Sequence, residues 1–321
     1  MAKKRLLGCS FPVAIIIIAA IVILFVLSLL TGPLGKNLLH LPEWLVTAKP
    51  EPKLPAEVVF HILGFPITNS IVSTWITMAV LVLFCWAVTR KMELIPGRKQ
   101  ALLEFAIEAL LNFCRSVAGE KNGRRFFPVV ATIFLFIAFN AWLSLLPGYG
   151  SLLVHFSNGE EAELIRGANT DINTPLAVAI ISFFVVEVIG FRSLGISYGK
   201  KFLNLDGIIE SGKHLGKGRI KQALSSFVFG FINLFVGVIE TVSELIRVVS
   251  LTIRLFGNMT AGEILLLSAV FLMPWLFALP FYGLELLVGF VQALIFASLT
   301  LIFLTTAVAS HGDHKEESSH H

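Results

Sequence analysis

The sequence predicts an all-α, polytopic membrane protein with about five to six membrane helices. Its 321 residues are 56% hydrophobic and 14% charged, whereas a soluble globular chain carries roughly a quarter charged residues. Several apolar runs reach the length of about 20 residues that a helix needs to cross a bilayer. Since basic residues cluster between these runs, they indicate membrane orientation and not a nucleic-acid partner.

Residues 1–32 form an N-terminal apolar segment that is either an anchor or a secretory signal. The run Phe11–Leu30 follows three basic residues. It is longer than a usual signal core and is not followed by an A-x-A-like cleavage site, which favours an uncleaved anchor. Residues 33–70 are rich in Pro, Lys and Glu, and we predict an external connection there.

The main membrane domain is predicted over residues 71–309, followed by a polar tail at 310–321. Within it, Arg98–Ala118 combines apolar residues at helical spacing with interspersed charges, as expected of a helix on the membrane surface or against partner helices. The predicted spans are Ile71–Val88, Phe126–Leu146, Pro175–Phe191, the long region Phe227–Leu279, and Phe281–Ala309.

Charge distribution predicts one orientation. The connections after Ile71–Val88 and after Pro175–Phe191 are basic, and the loop around Glu160 is acidic. By the positive-inside rule, the basic connections and both termini lie in the cytoplasm and the acidic loop lies outside.

Two polar motifs do not predict cofactor or metal sites. Gly207–His214 approaches a phosphate-binding loop, but His214 replaces the required Ser or Thr. Histidines also occur in the C-terminal tail, without the carboxylate context of a metal site. We therefore predict no cofactor and no bound metal.

A polar stripe runs along the segment from Asn233 to Asn258. At 100° per residue, its polar members fall within about 40° of Glu240 on either side. The stripe consists of Asn233, Glu240, Glu244, Arg247, Arg254 and Asn258.

Two interpretations of the stripe are open. Glu240 and Glu244 can pair with Arg247 purely for packing. Arg254 has no acid within one helical turn, so we expect a buried, functional charge in an apolar segment. Such a charge costs at least about 2.5 kcal/mol on insertion scales. Because arginine does not release its proton, Arg254 would attract a carboxylate and repel passing cations.

Two acids follow Arg254 and can carry protons. Glu263 lies nine residues later, on the opposite face of the same helix. Glu285 lies in the last apolar region and shares a helix face with Gln292, for which an interhelical hydrogen bond is the alternative role.

The run from Ser250 to Glu263, SLTIRLFGNMTAGE, resembles the signature of subunit a of F-type ATP synthases. The spacing from Glu285 to Gln292, the run Gln292–Phe296 and the run Thr170–Thr174 are similar to other parts of that family. The resemblance covers roughly residues 55–310, so the first apolar segment is an addition to it.

The resemblance implies a proton-translocating, non-catalytic subunit of the rotary ATP synthase in the bacterial inner membrane. It implies two half-channels and a long, strongly tilted helix hairpin facing a c-ring. Arg254 matches the essential arginine that couples ion flow to ring rotation. The other implied ion-translocation residues are Glu263, Glu285, Gln292, Asn258, Glu240, Asp171 and Asn173. The implied partners are the c-ring, the b subunits of the peripheral stalk and protons, with Na⁺ left open. A solute permease and a purely structural anchor are the alternatives.

Overall fold

The computed structural model describes residues 5–6, 9–33, 49, 55–90, 97–146, 148–149, 152–155, 161–195, 198–199, 220–273 and 278–309. Its helices are α1 Phe11–Thr31, α2 Asn69–Thr89, α3 Arg98–Ser144, α4 Asn173–Leu194, α5 Ile220–Leu272 and α6 Ala278–Ala309. By length and composition, the five helices from α2 to α6 each contain a segment that can cross a membrane. The predicted class, a polytopic all-α membrane protein, is confirmed.

Short strand pairs accompany the helices and were not predicted. The three antiparallel pairs are β1 Arg5–Leu6 with β2 Cys9–Ser10, β3 Val58–Ile62 with β4 Phe65–Thr68, and β5 Leu153–His155 with β6 Glu161–Glu163. Leu63 and Gly64 join β3 to β4 with φ values of 53° and 84°. Two positive φ values in a two-residue loop are typical of a type I′ hairpin turn, whose twist matches that of the strands.

Helix α3 consists of two helical stretches that meet at Gly119. This residue has φ 78° and ψ 166°, outside the helical region. The chain bends closely here, because a Cβ at Gly123 would lie 2.7 Å from the Cα of Arg115. The predicted separation of Arg98–Ala118 from the following span therefore has a physical basis. The backbone conformation at Gly119 is one that glycine adopts without strain and other residues do not.

Helix α5 is longer than a simple membrane crossing. Its apolar part, Leu224–Leu272, has 49 residues, or roughly 74 Å at 1.5 Å per residue, against a hydrocarbon core of about 30 Å. Only a strongly tilted path keeps that length within the bilayer. The helix ends at Leu272, before the predicted Leu279, and the sequence has Pro274 two residues later, a residue that disfavours helix before it.

The chain divides into two compact units. Unit 1 comprises Met1–Thr74, Asn140–Asp171 and Gly257–Gln292. In it, Asn258 of α5 contacts Gln292 of α6, and Gly262 lies against Glu285. Since the earlier residue of α5 meets the later residue of α6, these parts of the two helices are antiparallel.

Unit 2 comprises Trp75–Phe139, Ile172–Phe256 and Ala293–His321. Its apolar core joins α3, α4 and α6. The side chains buried there include Phe126, Val130, Val186, Tyr198, Leu301 and Leu304. Tyr198 packs over Gly190 so closely that an added Cβ would lie 2.6 Å from the phenol ring. This core holds the second half of α6 against α4.

Candidate functional site

A polar cavity of about 340 Å³ lies within unit 1. The end of α3, the segment around residues 163–170, α5 and α6 all contribute to its wall. Its principal polar side chains are Asn140, Arg166, Asn169, Glu263, Tyr282 and Glu285. A cavity of this size and polarity has room for several water molecules.

Arg166 and Glu263 form a bidentate ion pair at the cavity. The Arg166 Nε donates to Glu263 Oε1 at 3.2 Å, and Nη2 donates to Oε2 at 3.0 Å. The Arg166 side chain is 9% exposed and that of Glu263 is 30% exposed. A guanidinium presents its donors in a planar fork that matches both carboxylate oxygens, so this geometry fixes the orientation of Glu263.

The backbone also holds Arg166. Its N–H donates to Ser73 Oγ at 3.1 Å, and its Nη1 donates to the carbonyl of Pro55 at 3.5 Å. Arg166 was not predicted as a site residue. The only sequence signal was a lone basic residue in an otherwise acidic loop.

Glu285 also faces the cavity and is 6% exposed. It packs directly against Gly262 of α5, where its carboxylate occupies the space that a side chain would fill. The predicted acids Glu263 and Glu285 therefore line one cavity, although α5 and α6 carry them separately.

Gln292 and Asn258 are joined by a hydrogen bond. Asn258 Nδ2 donates to Gln292 Oε1 at 2.9 Å. Gln292 is buried and Asn258 is exposed on α5. The alternative that Gln292 makes an interhelical hydrogen bond is confirmed, and the bond orients both amides.

Asp171 lies at a different place in unit 1. Its Oδ2 accepts a hydrogen bond of 2.6 Å from Ser70 Oγ, near the start of α2. Asn173 is the first residue of α4, belongs to unit 2 and is exposed. The structure does not bring Asp171 into the wall of the cavity that holds Glu263 and Glu285.

Arg254 is exposed on α5 in unit 2. In the described part of the chain, no hydrogen bond or ion pair is found for its side chain. The subunit itself therefore does not enclose this charge, and the role of Arg254 stays a prediction. The guanidinium projects outward from an apolar helix, because the inward-facing residues beside it are Leu251 and Leu255.

The polar stripe divides into inward and outward members. Glu244 is buried and accepts a hydrogen bond of 2.6 Å from Arg247 Nη1, while the Arg247 guanidinium lies 4.0 Å from the centre of the Phe303 ring. The predicted pairing of Glu244 with Arg247 is thus present in the structure. Glu240 is half-buried, one turn before Glu244.

Two buried amides were missed by sequence reasoning. Asn140 Nδ2 and both polar side-chain atoms of Asn169 lack a hydrogen-bond partner among the described residues, and both residues line the cavity. Buried amides normally have partners, so these atoms are available to water in the cavity. Neither amide belongs to a repeating polar pattern in the sequence.

The described residues contain no group of three or more His, Cys, Asp or Glu side chains that can hold a metal ion. The Gly207–His214 segment and the C-terminal histidines lie outside the described residues. The chemistry available in the cavity is therefore that of carboxylates, amides and one arginine: binding water, and taking up and releasing protons.

The chain is similar to known proteins over the region that contains the cavity and Arg254. The family model described as ATP synthase A chain matches residues 71–305. The ATP synthase subunit a of Gloeobacter violaceus is 32% identical over 77% of this chain and 86% of its own length. The ATP synthase subunit a 2 of a Bradyrhizobium species is 31% identical over 80% of this chain and 96% of its own length. That of Moorella thermoacetica is 30% identical over 80% and 98%.

The family match extends across all five helices from α2 to α6, of which it leaves out only the outermost residues, and it contains the cavity acids and Arg254. The chain therefore belongs to the ATP synthase A chain family, the proton-translocating, non-catalytic membrane subunit of the F-type ATP synthase complex.

Proposed function

We propose that Arg254 faces the c-ring and couples proton flow to its rotation. The observation that carries this proposal is an exposed arginine, unpartnered among the described residues, on an apolar helix. A cation at membrane depth costs at least about 2.5 kcal/mol unless a partner compensates it. A carboxylate of a c subunit meets that need, and it would do so each time the ring turns.

The cavity in unit 1 is, in this proposal, part of the half-channel on the outer side. Glu263, Glu285, Gln292 and Asn258 would line the route of protons between the outside and the ring. Supporting this role, the two acids share one polar cavity and the two amides are hydrogen-bonded to each other. Glu240, Asp171 and Asn173 are proposed as further lining residues, away from the cavity wall.

A fixed cation between two half-channels explains why the gradient does work. Each elementary charge crossing 100 mV yields about 2.3 kcal/mol. That energy drives rotation only if the proton must travel on the ring and has no direct route between the half-channels. Arg254 repels a passing proton electrostatically and so closes the direct route.

The setting of the subunit belongs to the same proposal. The c-ring and the b subunits of the peripheral stalk are its partners, protons are its ion with Na⁺ left open, and the bacterial plasma membrane is its location. The C-terminus is cytoplasmic. In the proposed domain division, residues 1–32 are an anchor or signal and residues 33–70 an external connection. Residues 71–309 are the membrane domain and residues 310–321 the polar tail.

Replacement of Arg254 by alanine tests the coupling role. In membrane vesicles energised by an imposed proton gradient, we expect the Arg254→Ala enzyme to assemble but to lose ATP synthesis. Arg124→Ala is the matched control, because Arg124 is an exposed arginine on α3 that pairs with Glu120; it should retain synthesis. A solute permease would instead transport a solute without c subunits. Synthesis by Arg254→Ala at the level of the control would refute the proposal, and a structural anchor would then be favoured.

A further inference from the structure

We propose that Arg166 is a positioning residue that holds Glu263 as a fixed anion, so that Glu285 carries the exchangeable proton in the cavity. The inference rests on the proposed function, in which this cavity belongs to the outer half-channel. It assigns different tasks to two acids that the sequence pattern treats as equivalent.

The geometry of the ion pair occupies both oxygens of Glu263. Nε and Nη2 of Arg166 donate to Oε1 and Oε2 at 3.2 and 3.0 Å. Protonation of either oxygen would neutralise the carboxylate and so weaken both charge-assisted hydrogen bonds. Since arginine stays protonated at any working pH, the guanidinium cannot make room by releasing its own proton.

Burial makes the pair costly to separate. Arg166 is 8% exposed, and its backbone N–H is bonded to Ser73 Oγ at 3.1 Å. Removing Glu263 would leave the buried guanidinium of Arg166 uncompensated, which costs far more than the intact pair contributes. The pair therefore persists through the transport cycle as a neutral unit with a fixed orientation.

Glu285 has the opposite surroundings. In the described part of the chain, no ion pair and no hydrogen bond is found for its carboxyl group. It is 6% exposed, faces the same cavity, and packs against Gly262, which has no side chain to obstruct it. The other titratable groups that face the cavity are Tyr149, Glu163 and Tyr282. Of the two acids, Glu285 is the one whose protonation breaks no ion pair in the described part of the chain.

A double-variant cycle in the assembled enzyme tests this division of tasks. ATP-driven proton pumping is measured in inverted membrane vesicles by fluorescence quenching, normalised to the amount of assembled complex. Arg166→Gln and Glu263→Gln each leave one charge of the pair without its partner, and we expect each to lower pumping by about tenfold. The combined Arg166→Gln/Glu263→Gln variant removes both charges and should return to within about threefold of the wild type.

The conservative and control variants separate positioning from general damage. Arg166→Lys keeps the charge but not the fork, so it should pump several-fold better than Arg166→Gln. Arg124→Gln, at an exposed arginine on α3, should match the wild type. If the single variants fail to assemble while the combined variant assembles and pumps, the pairing is equally supported.

Two results overturn the inference. The first is a combined variant that pumps no better than Glu263→Gln, since Glu263 would then carry protons itself. The second is Arg166→Gln with wild-type pumping. A further variant, Glu285→Gln, tests the proposed function separately. We expect Glu285→Gln to abolish pumping in the wild-type background and also in the combined Arg166→Gln/Glu263→Gln background. Normal pumping by Glu285→Gln would refute the half-channel assignment and the inference together, whereas the two results above leave the half-channel assignment standing.

Discussion

At the scale of single residues, the charges in the apolar helices differ in where their partners lie. Arg247 pairs with Glu244 within α5, and Glu263 pairs with Arg166 from the segment before α4. Arg254 has no such partner in the described residues and is exposed. Paired charges stabilise the subunit's own structure, whereas an outward charge without a partner is expected to meet another chain.

We expect Arg247→Ala to destabilise the subunit strongly, because it leaves the buried carboxylate of Glu244 without its main cationic partner. Breaking a buried pair costs roughly 3–5 kcal/mol, whereas replacing both members by apolar residues is often neutral. Glu244→Leu/Arg247→Met should therefore restore most of the lost stability. The stability of the Arg247→Ala variant and that of the double variant are both measured by thermal unfolding of the purified complex in detergent. A double variant as unstable as Arg247→Ala would contradict a packing role for the pair.

Sequence reasoning found the site residues that belong to helical patterns. Arg254, Glu263 and Glu285 are conspicuous because each interrupts a long apolar run. Arg166 is absent from that set, because it lies outside any helix, where no periodicity relates it to Glu263 97 positions later. Periodicity defines the face that carries Arg254 but not the side on which a partner chain lies, which only the resemblance implied.

At the scale of elements, small residues allow close approach between α5 and α6. Gly262 is buried, and a Cβ placed there would overlap the Glu285 carboxylate. One turn after Glu285 on α6, a Cβ at Gly289 would lie 2.8 Å from the Cβ of Ala141 on α3. Small residues at helix interfaces are the usual means of close packing in membranes.

Gly262→Ala should lower proton pumping by displacing the Glu285 side chain from the cavity. Overpacking typically costs about 1–3 kcal/mol, equivalent to a loss of roughly 5- to 160-fold in rate if it acts on the transport step. Gly283→Ala is the control, because a Cβ at that position of α6 has no atom within 4 Å. The measurement is ATP-driven pumping in vesicles for both variants at equal assembly. Equal activity of the two variants would show that Gly262 is not needed for the placement of Glu285.

Helix existence was more predictable than helix ends and turns. The apolar lengths predicted α2, α4 and α6 correctly, and the charged segment at Arg98–Ala118 was rightly separated from the span after it. The β3–β4 hairpin was missed because its Leu63-Gly64 turn lies in a connection rich in Pro, Lys and Glu, where composition obscures a short strand pattern. Such two-residue turns depend on local backbone conformation, which a search for spans does not examine.

At the scale of the whole molecule, charge asymmetry should set the orientation in the membrane. The positive-inside rule applies to short basic connections next to spans. Arg192 lies in the last turn of α4, at the start of a basic connection, and Leu152 lies just before β5 in the acidic connection. Both are exposed, so both are suitable positions for an accessibility measurement.

With the three native cysteines replaced by alanine, Arg192→Cys and Leu152→Cys should react from opposite sides. A membrane-impermeant thiol reagent is expected to label Leu152→Cys in intact cells and Arg192→Cys only in inverted vesicles. Labelling of both cysteine variants after detergent treatment, when the membrane no longer limits access, is the control for reactivity. Labelling of Arg192→Cys in intact cells would reverse the proposed orientation.

The central claim is that the acid facing Arg254 belongs to a subunit of the ring. Ser250 lies one helical turn before Arg254 and is exposed on α5, so a photo-crosslinking amino acid there samples the same neighbourhood. Phe184, exposed on α4, is the control position. Mass spectrometry of the illuminated complex should identify a c subunit attached at position 250 and none at position 184. The attachment point on the c subunit should lie in the helix that carries the c subunit's own carboxyl group. Capture of lipid or of a different chain at position 250, with no c subunit, would contradict the account.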